Sequence, residues 1–526
     1  MNILEVKNLS IYFNTNKENR ILAASNITFS ISEGETLSIV GESGSGKSII
    51  GLSIMKLLPY PLAGHGLESK ILFKGEDILQ KSKLQMQKLR GKRISMIFQE
   101  PMTSLNPFLK CGEQLKESIF LNSDNLDKKH RAMELLEEVE FEDPEKIFNS
   151  YPHQISGGQR QRVMIAMAIS NEPDLLIADE PTTALDVSVE QSLLVLLKKI
   201  QNKMGMSIIF ISHDLNIVRK ISDRVLVMQK GEIKEENSMN EIFQNPKDPY
   251  TKRLINSSPE PKHGTNNFDN EILKISSLNL TYSKRDFIGR TSNFSALKNI
   301  NLTIKKNSAL GLVGESGSGK SSLARSILGI EKFSGEIFFN DKNILNYNSQ
   351  EKKYFKKNCQ LVFQDPFSSL SPRQRILDII KEGLDIHESS LNFLQKKEKV
   401  LKVLEDVKMD ESCLNKFPHE FSGGQRQRIA LAKVLILEPE FLILDEPTSA
   451  LDISIQKEII NLLLDLQSKR GLSYLLISHD LKVINAIADE IVVLKSGKIV
   501  EQGKRDDIFH DAKKQYTKSL IQAAYN

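Results

Sequence analysis

Short apolar runs alternate along this chain with longer stretches in which apolar residues recur at the spacing of a helix. An apolar run bounded by polar or turn-forming residues is typical of a buried strand. Two sets of such runs follow the same order: Thr36–Val40, Ile94–Phe98, Leu175–Ala178, Ser207–Ile211 and Arg224–Met228, then Ala309–Val313, Gln360–Phe363, Phe441–Leu444, Ser473–Ile477 and Glu490–Leu494. Because helical stretches separate these strands, the pattern predicts two α/β domains, each with helices on both faces of a sheet.

The stretch 101–162 departs from this alternation. Its apolar residues follow a longer polar and apolar period, as in Asp127–Glu140, and this period indicates helices. A further helix is predicted at Gln159–Ser170. We therefore expect a helical subdomain beside the sheet of each domain.

A glycine-rich octapeptide, GESGSGKS, follows the first apolar run of each set. The first copy consists of Gly41, Glu42, Ser43, Gly44, Ser45, Gly46, Lys47 and Ser48, and the second of Gly314, Glu315, Ser316, Gly317, Ser318, Gly319, Lys320 and Ser321. Glycine lets backbone N–H groups approach an anion at the start of a helix, because no side chain blocks the approach. The lysine can then reach the β- and γ-phosphates, and the last serine can place its hydroxyl on Mg²⁺. An ordinary glycine-rich turn could explain one match, but two identical matches predict two nucleotide sites.

Three further motifs repeat, and the intervals between them are the same in both halves. They are Ser156–Arg162 with Ser422–Arg428, the Asp-Glu-Pro-Thr segments that begin at Asp179 and Asp445, and His213 with His479. Conserved internal spacing is the mark of a duplicated domain. We expect a first domain at 1–256, a turn-rich linker at 257–270 and a second domain at 271–526, each domain with a short C-terminal extension.

The paired carboxylates end an apolar strand, at the sheet edge where open α/β folds bind ligands. Asp179 is predicted to hold Mg²⁺ and Glu180 to polarise the attacking water, and Asp445 and Glu446 repeat the arrangement. The alternative for one such pair is an acidic helix N-cap followed by proline.

Two other side-chain types reach the same predicted edge. His213 and His479 follow strands and are predicted to contact the γ-phosphate, although a single histidine is more often structural. Gln99 and Gln364 also follow strands, and their amides could contact the metal or the attacking water. A neutral glutamine can engage or withdraw without a large desolvation penalty.

A second anion-binding motif opens the helix after residue 156. Its members are Ser156, Gly157, Gly158 and Gln159 in the first domain and Ser422, Gly423, Gly424 and Gln425 in the second. A helix N-terminus favours negative charge. One nucleotide cannot easily contact both the glycine-rich octapeptide and the Ser-Gly-Gly-Gln motif of a single domain. We therefore expect each motif to close over the nucleotide held by the other domain's phosphate loop.

Composition narrows the class of protein. The 526 residues include 71 basic and 67 acidic residues, a net charge of +4, which argues against a nucleic-acid protein driven by a large positive field. Cys111, Cys359 and Cys413 lie far apart, so neither disulfides nor a zinc or iron–sulfur site is predicted. The apolar run Val163–Ile169 is far shorter than the roughly 20 residues that cross a bilayer. We expect neither a transmembrane helix nor a signal peptide.

The complete set of motifs resembles the nucleotide-binding domain of ABC transporters, twice over. The resemblance also includes the Ala-Leu-Asp segments that begin at Ala184 and Ala450. It implies two tandem P-loop ABC ATPase domains, each a mixed sheet flanked by helices plus a helical subdomain, with ATP and Mg²⁺ as ligands. It further implies that an aromatic residue, Phe13 or Tyr282, stacks on adenine. The Ser-Gly-Gly-Gln motifs that begin at Ser156 and Ser422 correspond to the signature motif of that family. One departure is that Ile155 and Phe421 precede these serines, where the family usually has leucine.

Two further features resemble one branch of that family. The segments Gln99–Pro107 and Gln364–Pro372, and the tails that begin at Asp248 and Gln515, are similar to ATPases of dipeptide, oligopeptide and nickel uptake systems. A fused pair of this length resembles the ATP-binding component of microcin C and peptide importers. This implies peripheral attachment to the cytoplasmic face of the inner membrane, two separate integral membrane permeases and, through them, a substrate-binding protein.

The main alternative is a translation factor of the ABC-F type, which also has two ATPase domains and acts on ribosomes. Those proteins usually have a long charged helical linker and Glu-Lys after the signature glycines, whereas this chain has a short linker and Gln-Arg at Gln159 and Gln425. The importer interpretation is therefore favoured. The transported molecule is not identified by this sequence.

Overall fold

The computed structural model describes residues 1–14, 20–99, 104–120, 125–182, 185–257, 259–262, 270–285, 291–365, 369–449 and 451–525. The chain divides into two compact units, the first of which ends at Ser257. The finer scheme of domains at 1–256 and 271–526 with a linker at 257–270 stays a prediction.

The described residues of the first unit form two sheets. Its strands are β1 (Asn2–Asn14), β2 (Arg20–Ser32), β3 (Thr36–Val40), β4 (Ala63–His65), β5 (Lys70–Phe73), β6 (Glu76–Asp77), β7 (Ile94–Ile97), β8 (Leu175–Asp179), β9 (Ser207–Ser212), β10 (Arg224–Gln229) and β11 (Glu232–Ser238). One sheet has the order β2-β1-β5-β6, with β4 also paired to β1, and all of its pairs are antiparallel. The other has the order β11-β10-β3-β9-β8-β7 and is parallel except for β11.

The parallel sheet lies at the centre of the unit. Every residue of β3, β8 and β9 is buried, which explains why these strands are continuous apolar runs: both faces of a parallel sheet are covered. The helices are Lys47–Ile54, Lys83–Leu89, Cys111–Ser118, Asn125–Glu138, Pro144–Asn149, Gly157–Ile169, Val187–Met204, Leu215–Ile221, Met239–Gln244 and Pro249–Ile255, with 3₁₀ turns at Ile78–Gln80 and Pro152–Gln154.

The helical subdomain is present between β7 and β8. Helix Cys111–Ser118 packs on the helices that begin at Asn125, Pro144 and Gly157. The predicted helix at Asp127–Glu140 instead spans Asn125–Glu138, because Glu140 has a left-handed φ of 63°, a conformation that ends helices.

The second unit repeats this plan. Its strands are β12 (Glu271–Arg285), β13 (Thr291–Lys305), β14 (Ala309–Val313), β15 (Ser334–Phe339), β16 (Lys342–Asn343), β17 (Cys359–Val362), β18 (Phe441–Asp445), β19 (Ser473–Ile477), β20 (Glu490–Lys495) and β21 (Lys498–Lys504). Its helices are Lys320–Ile327, Ser349–Asn358, Ile376–His387, Phe393–Asp406, Gly423–Leu435, Ile453–Arg470, Leu481–Ile487, Arg505–His510 and Gln515–Tyr525, with 3₁₀ turns at Ile344–Asn346, Glu411–Cys413 and Pro418–Glu420. The sheet orders are β13-β12-β15-β16 and β17-β18-β19-β14-β20-β21.

The fold prediction is confirmed: each unit has a mixed sheet flanked by helices and a helical subdomain. Among the described residues, no helix combines the length and the apolar character that crossing a membrane would require. What the sequence analysis did not predict is the separate antiparallel sheet that β1 and β12 begin.

Candidate nucleotide site in each unit

The phosphate loop of the first unit lies between β3 and helix Lys47–Ile54 and needs glycine for steric reasons. Gly46 has a φ of 97°, and a Cβ there would lie 2.7 Å from the carbonyl oxygen of Ala23. A Cβ on Gly41 would lie 2.2 Å from the carbonyl oxygen of Met228. Gly319 and Gly314 meet the same obstacles in the second unit. Each loop is therefore packed against two other strands.

The lysine of each loop lies over its own backbone. Lys47 Nζ donates to the carbonyl oxygens of Gly41, at 2.7 Å, and Glu42, at 2.9 Å. Lys320 repeats both contacts, at 2.6 Å to Gly314 and 3.0 Å to Glu315. Burial lowers the pKa of Lys320. The ammonium group is thus held at the loop, where a phosphate can replace the carbonyl contacts.

The serine that follows this lysine meets the first carboxylate. Ser48 Oγ donates to Asp179 Oδ1 at 2.9 Å. Burial raises the pKa of Asp179 to about 6, against the opposing effect of the Ser48 hydrogen bond. In the second unit burial likewise raises the pKa of Asp445, which bonds with Ser321. A hydroxyl and a carboxylate at one point are oxygen ligands of the kind that Mg²⁺ prefers.

The second carboxylate is held from two sides. Gln99 Nε2 donates to Glu180 Oε2 at 2.8 Å, and His213 Nδ1 lies 3.2 Å from Glu180 Oε1. Burial opposes ionisation of Glu180, which is 8% exposed, but the His213 hydrogen bond and the positive charges of His213 and Lys47 outweigh it. The pKa of Glu180 is consequently lowered to about 2.

Glu180 also has an unusual backbone. Its φ is 47°, in the left-handed region that non-glycine residues rarely adopt, and its N–H donates to the carbonyl oxygen of Ile211 at 2.9 Å. Such a conformation costs roughly 1–3 kcal/mol and tends to occur at functional sites. Glu446 repeats it with a φ of 49°.

The second unit has the same arrangement of side chains. Gln364 Nε2 donates to Glu446 Oε2 at 2.6 Å, and His479 Nδ1 lies 3.2 Å from Glu446 Oε1. Burial opposes both charges, but the His479 hydrogen bond lowers the pKa of Glu446 and the same bond raises the pKa of His479. Each unit therefore brings together its loop lysine, serine, two carboxylates, glutamine and histidine.

The signature motif of each unit forms a helix N-cap. Ser156 Oγ accepts from Gln159 N–H at 3.2 Å, and Gln159 Oε1 accepts from Ser156 N–H at 3.0 Å. A Cβ on Gly158 would lie 2.4 Å from Cγ1 of Val189, so glycine is needed for packing as well. Ser422 and Gln425 form the same reciprocal cap. The expected closure of each motif over the other domain's nucleotide stays a prediction.

The two proposed adenine-stacking residues occupy equivalent strand positions. Phe13 pairs with Ile21 across β1 and β2, and Tyr282 pairs with Phe294 across β12 and β13. The Tyr282 hydroxyl lies 3.4 Å from Ser322 Oγ, in the helix that the phosphate loop opens. The aromatic ring of the second unit is thus next to its loop.

Two residues that the sequence analysis did not assign also contact the loops. The hydroxyls of Tyr250 and Tyr516 accept backbone hydrogen bonds from Glu42 and Glu315. The available signal was that both tyrosines occupy the same place in the repeated tail. Some sequence predictions lie outside the described residues: Ala184, Ala450, residues 100–103 and 366–368, and residues 258 and 263–269 of the predicted linker.

Two phosphate loops, each with its own carboxylate pair, define a tandem P-loop ATPase. The family model described as "ABC transporter" matches residues 24–183 and 297–449, and the model described as "Oligopeptide/dipeptide transporter, C-terminal region" matches residues 235–281 and 500–526. The chain belongs to the ABC transporter family.

Three curated relatives cover nearly the whole chain. The peptidoglycan transport ATP-binding protein YejF of Agrobacterium fabrum is 44% identical, over 100% of this chain and 96% of that protein. The uncharacterized ABC transporter ATP-binding protein YejF of Escherichia coli K12 is 42% identical, over 99% of each chain. The glutathione import ATP-binding protein GsiA of Shigella dysenteriae is 41% identical, over 99% of this chain and 89% of that protein.

These likenesses confirm the predicted ABC ATPase class, nucleotide binding, ATP hydrolysis and the oligopeptide/dipeptide branch. The ABC-F alternative is not favoured, because these relatives are named as ATP-binding proteins of transporters. The roles of the individual site residues stay predictions.

Proposed function

We propose that this chain is the ATP-hydrolysing subunit of an ABC importer for peptides, of the oligopeptide, dipeptide or microcin C kind. One observation carries the proposal: both complete ATPase sites share a chain with two matches to the oligopeptide/dipeptide transporter C-terminal region. Relatives named for peptidoglycan transport and glutathione import support a peptide-containing cargo. ATP-driven closure of the two domains would energise transport through separate permease subunits.

Hydrolysis in each unit follows from the side chains that the fold brings together. The loop N–H groups and Lys47 bind the β- and γ-phosphates, while His213 contacts the γ-phosphate from the neighbouring strand end. Glu180, whose pKa is well below neutrality, is ionised and accepts a proton from the attacking water. Gln99, whose amide donates to Glu180 in this structure, can orient that water.

The metal belongs to the same proposal. Ser48 and Asp179 would hold Mg²⁺ in the first unit with help from Gln99, and Ser321 and Asp445 would do so in the second with help from Gln364. When bound, Mg²⁺ would neutralise charge that develops on the phosphate oxygens. The oxygen donors already in contact at 2.9 Å fit such an ion.

A groove in the second unit suits a short segment of a permease. It has a volume of about 270 Å³ and is lined by β17 residues together with the helices Ile376–His387 and Gly423–Leu435. Two large apolar side chains at the groove, Phe363 and Ile386, are 51% and 63% exposed. Phe363 directly precedes Gln364, whose amide donates to Glu446. A segment bound in the groove would therefore contact the residue next to the partner of that glutamate.

An importer subunit of this kind also needs a membrane and partner proteins. The chain attaches peripherally to the cytoplasmic face of the inner membrane, held there by two integral membrane permeases. A substrate-binding protein delivers the peptide to those permeases from the other side. The identity of the peptide is decided by these partners.

The deciding experiment is affinity purification of a tagged Glu180→Gln/Glu446→Gln protein from membranes of its own cell, with ATP present. Recovery of two polytopic permeases supports the proposal, and their associated binding protein identifies the substrate. Recovery of ribosomes, or of no membrane protein, contradicts it.

A matched pair of variants tests the groove in the same experiment. Ile386→Asp should lose the permeases while its basal ATPase rate stays unchanged. Ile330→Asp changes a residue that is 62% exposed and does not line the groove, so it should retain the permeases. Equal recovery with both variants would contradict docking at the groove.

A further inference from the structure

The C-terminal extension of the first unit reaches back to its phosphate loop. Tyr250, in helix Pro249–Ile255, is 5% exposed, and its hydroxyl accepts a hydrogen bond from the backbone N–H of Glu42 at 3.1 Å. Glu42 is the second residue of the glycine-rich octapeptide. A side chain far along the chain thus contacts the backbone of the loop itself.

The second unit repeats the contact. The Tyr516 hydroxyl accepts from the N–H of Glu315 at 3.2 Å. Lys495 Nζ also lies 4.3 Å from the centre of the Tyr516 ring, a cation–π distance that fixes the ring. Burial raises the pKa of Tyr516 above its ordinary value.

Each extension is itself fastened to an edge strand. Glu235 in β11 accepts from the N–H groups of Lys247, at 2.9 Å, and Asp248, at 3.0 Å. Asp248 then caps the helix by accepting from Tyr250 N–H at 2.7 Å. The phenol is therefore presented to the loop from a segment with a fixed position.

The same fastening recurs in the second unit. Glu501 in β21 accepts from the N–H groups of Lys513, at 2.6 Å, and Lys514, at 3.2 Å. Tyr516 follows directly in helix Gln515–Tyr525. The phenol contact and the two glutamate hydrogen bonds recur in both units, which argues against an incidental contact.

The position of Glu42 explains what the contact can do. Its N–H is held by the Tyr250 phenol, and its carbonyl oxygen is held by Lys47 Nζ at 2.9 Å. When Lys47 Nζ binds a phosphate, it no longer donates to the carbonyl oxygen of Glu42. The hydrogen bond from Glu42 N–H to the Tyr250 phenol then still holds this residue of the loop in place. We propose that Tyr250 and Tyr516 are positioning residues that keep each phosphate loop in its ATP-binding shape. This inference rests on the proposed role of the two loops in binding ATP.

The test is the double variant Tyr250→Phe/Tyr516→Phe in the full chain. It removes two hydroxyls and keeps both rings. A typical intramolecular hydrogen bond contributes about 0.5–1.5 kcal/mol, so the KM for ATP should rise about 2- to 13-fold. The kcat should change less than about twofold, because a pre-shaped loop binds the ground state and the transition state alike. A calorimetric titration with ATP should show the Kd for ATP rising by the same factor as the KM.

A tyrosine away from the loops provides the matched control. The hydroxyl of fully buried Tyr474 donates to the carbonyl oxygen of Leu463 at 2.9 Å. Tyr474→Phe should lower the thermal stability by an amount comparable with that lost in Tyr250→Phe/Tyr516→Phe, and it should leave the KM for ATP unchanged. A rise in KM that is equal in the two proteins would overturn the proposal, because it would follow from lost stability alone.

Two further outcomes separate this inference from the function on which it rests. An unchanged KM and Kd in Tyr250→Phe/Tyr516→Phe overturns the positioning role, provided that Lys47→Ala/Lys320→Ala abolishes ATP binding. If that lysine variant binds ATP normally, the proposed nucleotide sites themselves are wrong.

Discussion

His213 Nδ1 lies 3.2 Å from Glu180 Oε1, and His479 Nδ1 lies 3.2 Å from Glu446 Oε1. The other oxygen of each carboxylate accepts from a glutamine amide. Each glutamate is thus held between a strand-end imidazole and a neutral amide. The neutral partner can leave the carboxylate at little electrostatic cost, whereas the histidine keeps it ionised and aimed.

The first prediction concerns these glutamates. Glu180→Gln/Glu446→Gln should lower the kcat for ATP hydrolysis by at least about 10²-fold, the usual contribution of a positioned general base. ATP should still bind, because the loops are untouched. Single-turnover hydrolysis and ATP titration measure the two effects. The control is Glu438→Gln, since Glu438 is exposed and also has a left-handed φ, of 54°. Undiminished turnover in the double variant would remove both residues from catalysis.

The second prediction concerns the metal. Ser48→Ala/Ser321→Ala removes the hydroxyls that bond with the aspartates. It should raise the Mg²⁺ concentration for half-maximal ATPase activity at least about 10-fold, the lower end of what losing an outer partner of a metal ligand already costs. Addition of EDTA should stop hydrolysis in the wild-type protein. Ser326→Ala serves as control, because the Ser326 hydroxyl donates to the carbonyl oxygen of Ser322 within its own helix. An unaltered Mg²⁺ requirement would argue against the serine as a metal ligand.

The strands that carry the sites could be predicted because they are buried on both faces. Thr36–Val40, Ala309–Val313 and Ser473–Ile477 have the predicted bounds. Continuous apolar runs between polar residues leave little ambiguity about where such strands begin and end. The carboxylates, glutamines and histidines then follow from the rule that parallel strands end at one sheet edge.

The antiparallel sheets and the tyrosine contacts could not be predicted in this way. β1 mixes buried and exposed positions irregularly, and its pairing with β2 has register shifts, so no regular alternation identifies it. The hydrogen bond from Glu42 to Tyr250 joins residues that are distant along the chain. Only the folded sheet order shows that the extension passes beside the loop.

The third prediction concerns Lys262, within the predicted linker. Lys262 Nζ lies 2.7 Å from Asp489 Oδ1, and the two side chains are 15% and 7% exposed. Lys262→Met leaves a buried carboxylate without its cation. The free energy of unfolding should fall by about 3 kcal/mol, the lower end of the range for breaking a buried ion pair. Lys408→Met, which breaks an exposed pair with Asp465, should cost less than about 1 kcal/mol.

Hydrogen exchange can localise that effect. Asp489 Oδ2 accepts from the N–H of Ala309, the first residue of β14, at 2.9 Å. In Lys262→Met, amides of Ala309–Val313 should exchange faster, while those of the equivalent strand Thr36–Val40 in the first unit should not. Equal exchange in both proteins would show that Lys262 does not stabilise the second unit.

The fourth prediction uses the absence of tryptophan from the sequence. Phe13→Trp and Tyr282→Trp each introduce a single indole at a proposed adenine-stacking position. Stacking of a base on an aromatic side chain contributes about 1–3 kcal/mol and alters indole fluorescence. ATP should therefore change the emission of each variant, whereas inorganic tripolyphosphate, which has no base, should compete for the loop without that change.

The control indole is Phe108→Trp, because Phe108 is 86% exposed and lies in the chain segment of the helical subdomain, between β7 and helix Cys111–Ser118. Its emission should not respond to ATP. A response of Phe13→Trp to ATP and not to tripolyphosphate assigns the effect to the adenine ring. If both ligands act equally, the indole senses the loop and not the base. If neither acts while ATP is still hydrolysed, adenine is bound elsewhere.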